Sequence, residues 1–344
     1  MQLSPGKLLG MKRLSDDNGV FKMLAVDQRP PIKNLIIEKL SIDEAPWEKV
    51  SNFKKLLVET LQDLSSAILI DPHFAVPGSM DSILPRKGII VTLEDSNYDE
   101  NEYGRISKNI DEWSVSKIKR MGADAVKVLA YYRPDAHKSI LDQQKDYIQK
   151  IGEQCKIFDI LFLLELLVYP LDNDKFQAKE YIEMKGKNPT HVFDSVNEFS
   201  DPKYNVDVFK LESPVNPKTI QDKDINLFQE LGQIAQRPWV MLSAGANKND
   251  FKKVLEFAYE SGCSGFLAGR AIWLDAFQNY PDIEKVKLEL EKDGREYSKE
   301  ISLQADKYAK PWHKHQSYNK EDVRFPFRDH NFRYNYKGIL LKWN

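Results

Sequence analysis

Short uninterrupted apolar runs alternate along this chain with longer stretches in which apolar positions recur every three or four residues. The runs occupy residues 23–27, 67–71, 88–94, 125–132, 161–169, 206–214, 239–245 and 265–270. Helical spacing marks residues 48–64, where Val50, Phe53, Leu57 and Leu61 share a face, and then 114–121, 142–158, 189–199, 218–234, 250–261 and 282–307. A short helix over 4–15 precedes the first run. Continuous rather than alternating hydrophobicity is the mark of a parallel strand covered on both faces. Strand and helix alternating eight times predict an α/β fold of the (β/α)8 TIM-barrel type, with an N-terminal helix and a C-terminal extension. An open doubly wound sheet is the competing architecture, but no Gly-x-Gly-x-x-Gly follows the first run. The expected division is one barrel over 1–309 and an extension over 310–344.

Composition narrows the class. The 344 residues carry a formal net charge of −2, which creates no global field for nucleic acid or a membrane surface. Nowhere do about 18 apolar residues run together, and the first 14 residues lack a signal-peptide pattern. A cytoplasmic protein is expected. Cys155 and Cys263 have neither a disulfide framework nor zinc spacing. Three of the six histidines fall after residue 310, and none pairs with another at the end of a run, so no metal and no cofactor are expected. From 301 to 344 there are nine Lys/Arg against four Asp/Glu, and nine aromatic residues. That is too aromatic for an ordinary disordered tail. It reads as a strap packed on the barrel or on a neighbouring subunit of a homo-oligomer, with a lid over the active-site mouth as the alternative.

The chemistry enters through polar residues that interrupt or end the runs: Asp27, Asp71, Glu94, Lys127, Glu165, Lys210, Ser243 with Gly245, and Gly269 with Arg270. In a barrel, functional groups gather at the carboxyl ends of the strands. Lys127, Glu165 and Lys210 lie inside apolar runs. Facing the helices they would be buried alone; facing the lumen, two ammonium groups and a carboxylate would meet and perturb one another. One lysine then serves as a neutral nucleophile beside the other's charge. The plain alternative is a pair of strand-end lysines pointing into water. Ser243, Gly245, Gly269 and Arg270 end runs seven and eight, where barrels commonly hold phosphate on backbone N–H groups and a helix N-terminus.

These motifs together resemble the class I tagatose-1,6-bisphosphate aldolase family over roughly residues 10 to 290. The matching stretches are 24–29 with Asp27, Gln28 and Arg29; 122–127 ending in Lys127; 162–165 ending in Glu165; 207–212 around Lys210; 242–245; and Gly269 with Arg270. The resemblance implies Lys210 as the Schiff-base lysine, Glu165 as acid/base, and Asp27 and Lys127 beside the reacting carbons. It implies Gln28, Arg29, Ser243, Gly245, Gly269 and Arg270 as substrate and phosphate ligands. The implied reaction is cleavage of a ketose 1,6-bisphosphate, of tagatose or fructose configuration, to glycerone phosphate and D-glyceraldehyde 3-phosphate.

Two features depart from that pattern. Arg133 follows the fourth run, as in a sister group that cleaves 6-deoxy-6-sulfofructose 1-phosphate, and an arginine at the far end of the substrate serves a phosphate or a sulfonate equally. The aromatic basic tail matches neither group, which leaves a non-catalytic, sugar-phosphate-sensing barrel as a reading from another class.

Overall fold

The computed structural model describes residues 3–171, 188–318 and 329–338. Helix α1 (Pro5–Leu14) leads into β1 (Phe21–Ala25), followed by α2 (Pro30–Leu40), α3 (Trp47–Leu61), β2 (Ala67–Ile70), α4 (Ala75–Ser79) and β3 (Gly88–Thr92). A hairpin of β4 (Asp99–Asn101) and β5 (Gly104–Ile106) precedes α5 (Val115–Arg120), β6 (Ala125–Tyr131), α6 (Lys138–Ile157) and β7 (Leu161–Leu167). The second half holds α7 (Pro189–Phe199), β8 (Val208–Leu211), α8 (Ile225–Ile234), β9 (Trp239–Leu242), α9 (Lys248–Glu260), β10 (Gly265–Ala268) and α10 (Arg270–Phe277). Helices α11 (Ile283–Glu289) and α12 (Arg295–Tyr308) close the shell, joined by a π-helical turn over Leu290–Gly294 inside the single helix expected at 282–307.

Eight strands form a closed parallel barrel in the order β1-β10-β9-β8-β7-β6-β3-β2. It closes where Phe21 pairs with Gly265 and Met23 with Leu267. All eight apolar runs thus become barrel strands, because a strand buried on both faces needs apolar side chains at every position. Helices α2, α4 and α10 and the β4–β5 hairpin escape the periodic reading. Helix α2 starts at two prolines, which serve as its first turn rather than as a stop. The β4–β5 hairpin pairs exposed polar β4 with Gly104, Arg105 and Ile106 of β5, three residues too few to show a period.

Alternation of strand side chains splits the barrel into two cores. Phe21, Met23, Ala67, Leu69, Ile90, Ala125, Leu161, Leu163, Val208, Val240 and Leu267 pack in the lumen. Their neighbours, among them Leu24, Ile68, Val126, Phe162, Phe209 and Met241, pack outward against the helices. Met11 and Leu14 of α1 join the lumen cluster from below, as do Trp312 and Tyr318 of the tail. Trp312 is anchored there by its N–H to the Gly19 carbonyl at 2.9 Å and by its indole N–H to Ser15 Oγ at 3.1 Å. The 310–318 segment therefore lies under the amino ends of the strands, opposite the mouth, and is not a lid. Tail residues 319–328 and 339–344 lie outside the described residues. Among the described residues no helix is long and apolar enough to cross a membrane.

Candidate active site

The same alternation that fills the lower lumen with aliphatic side chains puts charge in the layer above. Lys127 lies two residues beyond Ala125, Glu165 two beyond Leu163, and Lys210 two beyond Val208, so all three share the lumen face. Register sets Glu165 directly beside Lys210, while Lys127 pairs with Leu163, one lumen-facing position below Glu165. Lys210 Nζ donates to Glu165 Oε2 at 2.9 Å, and Lys127 Nζ is 2.9 Å from the same oxygen. Lys127 also donates to Asp27 Oδ2 at 3.0 Å and to Glu94 Oε1 at 2.7 Å. One ammonium therefore sits at the centre of three carboxylates. All five groups are buried, Lys127 to 2 % exposure and Lys210 to 5 %.

The electrostatics follow from this packing. Burial works against charge on Lys127, but Asp27, Glu165 and Glu94 outweigh it and raise its pKa well above the ordinary lysine value. Burial likewise works to raise Asp27 and Glu165, and the ammonium groups of Lys127 and Lys210 overcome it and hold both carboxyls below their ordinary range. Glu94 goes the other way: burial raises it and prevails over Lys127 and Arg29.

A cavity opens above this layer, lined by Asp27, Gln28, Arg29, Glu94, Lys127, Glu165, Lys210, Ser243, Ala244, Gly269 and Arg270. Ser243 and Ala244 belong to the turn after β9, closed by the Ala246 N–H donating to the Ser243 carbonyl at 2.7 Å. Gly245 follows with φ +84°, left-handed backbone that favours glycine, and a Cβ there would stand 3.4 Å from the Arg270 guanidinium. Gly269 precedes α10. A Cβ on it would lie 2.6 Å from both the Ala25 carbonyl and the Gln28 side-chain nitrogen. The two loops, with Arg270 at the start of α10, form a small-residue cradle beside Lys210.

Arg133 is placed differently. It is buried, its Nη1 donates to the Tyr169 carbonyl at 2.8 Å, and its Nε meets Asp135 at 2.7 Å. It does not line the cavity.

Two partners in this region had no role assigned to them from the sequence. Glu94 ends the third run, but nothing in its local pattern says that it meets Lys127. Lys54 reaches in from α3, bonding to Asp71 and donating to the Val26 carbonyl at 2.9 Å, with both side chains fully buried. The available signal was its position: Lys54 lies four residues after Val50 and three before Leu57, on the apolar face of α3.

The family described as DeoC/LacD family aldolase matches residues 21–275. The chain belongs to that family. It is 35% identical over 298 residues to tagatose 1,6-diphosphate aldolase 1 of Streptococcus mutans, covering 83% of this chain and 90% of that one. It is 33% identical over 327 residues to the tagatose 1,6-diphosphate aldolase of Listeria monocytogenes, covering 91% and 95%. Among solved structures, fructose-bisphosphate aldolase of Plasmodium falciparum superimposes with a TM-score of 0.67 at 12% identity, covering 90% of this chain and 98% of that one. At that identity the likeness speaks for the barrel alone.

Proposed function

We propose that this DeoC/LacD-family aldolase works through a Schiff base on Lys210. It would cleave tagatose 1,6-bisphosphate, or the fructose epimer, to glycerone phosphate and D-glyceraldehyde 3-phosphate. The observation that carries this reading is the shared Glu165 oxygen, 2.9 Å from both buried ammonium groups. Lys127 is bound to two further carboxylates and keeps its proton. Lys210 has Glu165 within reach, 2.9 Å from its Nζ, to exchange a proton with it as the Schiff base forms.

The neutral Lys210 amine attacks C2 of the open-chain ketose, whose 1-phosphate lies on Ser243, Gly245, Gly269 and Arg270. Glu165 returns the proton to the C2 oxygen, water leaves, and the iminium withdraws electrons from C3. Because Glu165 serves the nitrogen side, Asp27 takes the C4 hydroxyl proton as the C3–C4 bond breaks. The electron pair passes into the enamine, and the aldehyde departs. Protonation at C3 and hydrolysis then release glycerone phosphate and restore Lys210. Gln28 and Arg29 serve as further substrate and phosphate ligands. No step calls for a metal or a cofactor.

The reading places the protein in the cytoplasm, because phosphate esters carry charge and do not cross membranes freely. It keeps residues 1–309 as the catalytic barrel, with 310–344 as an extension on the barrel or on a neighbouring subunit of a homo-oligomer.

Borohydride reduction in the presence of glycerone phosphate tests it. A covalent adduct on Lys210, absent from Lys210→Met and formed equally in EDTA, is the expected result. Turnover with no lysine adduct, or binding of the ester without release of triose, would overturn it.

A further inference from the structure

Glu94 is a buried carboxylate that these steps leave unused. It stands two residues beyond Thr92 of β3, on the lumen side, and its backbone is held by an antiparallel bridge to Asn109. Oε1 accepts from Lys127 at 2.7 Å and lies 3.6 Å from Arg29 Nη2. Oε2 is buried with no hydrogen-bond partner, although the residue is only 2 % exposed and lines the cavity. Nε and Nη1 of Arg29, in the same cavity, are buried and unsatisfied as well. A buried polar atom left unpaired costs free energy comparable to a lost hydrogen bond, and one that faces a cavity is satisfied by whatever fills it.

The ring order says which part of the substrate that is. Strand β9 adjoins β8, β10 follows it and β1 adjoins β10, whereas β3 lies three strands from both β8 and β10 around the ring. A ketose phosphate held at C1 by the cradle and at C2 by Lys210 therefore extends across the lumen toward Glu94, which Arg29 approaches from the cradle side. Asp27 and Glu165 are occupied with the reacting oxygens, so the next hydroxyl outward is the one on the aldehyde half, adjacent to the carbon that becomes the carbonyl.

We infer that Glu94 is a specificity-determining residue whose Oε2 binds the hydroxyl next to the new carbonyl in the aldehyde product. This rests on the aldolase reading above and adds to it a preference for hydroxylated aldehydes. A site built around a substrate hydroxyl rejects the analogue that lacks it, because its own oxygen is then stranded.

The test runs in the direction of synthesis, adding glycerone phosphate to D-glyceraldehyde 3-phosphate or to 3-oxopropyl phosphate, which has the same length and charge but lacks that hydroxyl. The wild-type kcat/KM should favour the hydroxylated acceptor by about 10- to 100-fold. Glu94→Ala should bring the ratio close to one, and Glu94→Gln, which keeps an oxygen and the shape, should fall between. Equal use of both acceptors by the wild type would overturn the inference without any variant being made. So would a Glu94→Ala enzyme slowed by one common factor on both acceptors, the signature of a role exerted only through Lys127. Borohydride trapping on wild-type Lys210, measured alongside, separates the two readings: without an adduct the aldolase assignment itself fails, and with one only the role of Glu94 is at stake.

Discussion

Lys127 and Lys210, from adjoining regions of the barrel wall, stand 2.9 Å from one and the same oxygen of Glu165. The sharing is unequal, because Lys127 has Asp27 and Glu94 in addition. That asymmetry ties Lys127 to three carboxylates and leaves Lys210 with Glu165.

Removing the central cation should invert the pH dependence of stability. In the wild type, Asp27 and Glu165 have folded pKa values below their unfolded ones. Their contribution is present above about pH 4 and is lost as pH falls below that. In Lys127→Met three carboxylates face one another with one ammonium fewer, and their folded values rise above the unfolded ones. Stability then falls as pH rises through those values. Thermal scans should show a variant several degrees less stable than wild type at pH 8 that recovers part of the deficit at pH 5, with a loss of about 3–5 kcal/mol at neutral pH.

Asp27→Asn provides the complementary measurement. Asparagine cannot titrate, so the acid-induced loss carried by Asp27 should disappear. Denaturant midpoints taken between pH 6 and pH 3 should decline less steeply in the variant than in the wild type. An identical slope would mean that Asp27 is not held ionised by its lysines.

The cradle should show itself through substrate phosphate. Arg270→Ala should lower kcat/KM for the bisphosphate by about 10- to 100-fold, the worth of a charge-assisted hydrogen bond, and leave addition reactions of unphosphorylated glycerone far less affected. Gly269→Ala should behave differently, as a folding defect, since its Cβ would stand 2.6 Å from a main-chain carbonyl. A loss of about 1–3 kcal/mol in chemical denaturation is expected.

Lys54 lies outside the cavity lining but supports it. Lys54→Met strands the fully buried Asp71, which keeps only the main-chain N–H groups of His73 and Phe74 at 3.0 and 2.9 Å. A destabilisation of about 3–5 kcal/mol is expected in equilibrium unfolding. Asp27 follows directly after the Val26 carbonyl that Lys54 anchors, so activity at a temperature where the variant remains folded should fall too.

The two cores of the barrel were legible because burial on both faces imposes a local rule on every residue of a strand. Ala67, Ile68, Leu69 and Ile70 satisfy that rule without reference to any other part of the chain. Lys127, Glu165 and Lys210 stood out by breaking it, and an ionisable group inside such a strand has only the lumen in which to find a partner. Gly245 and Gly269 were similarly marked, by where they end their runs.

What remained hidden were pairings between distant positions. Glu94 and Lys127 are 33 residues apart, and Lys54 meets Asp71 from a different layer. The contacts of Arg133 to the Tyr169 carbonyl and to Asp135 were likewise invisible along the chain. Hydrophobic period is a property of neighbours along the chain, so it declares itself in one dimension and specifies the strands, the helices and the inward face of each. The partner of a charge depends on strand register, on barrel closure and on how a long side chain is steered by its surroundings. Those are set only when all eight strands are in place.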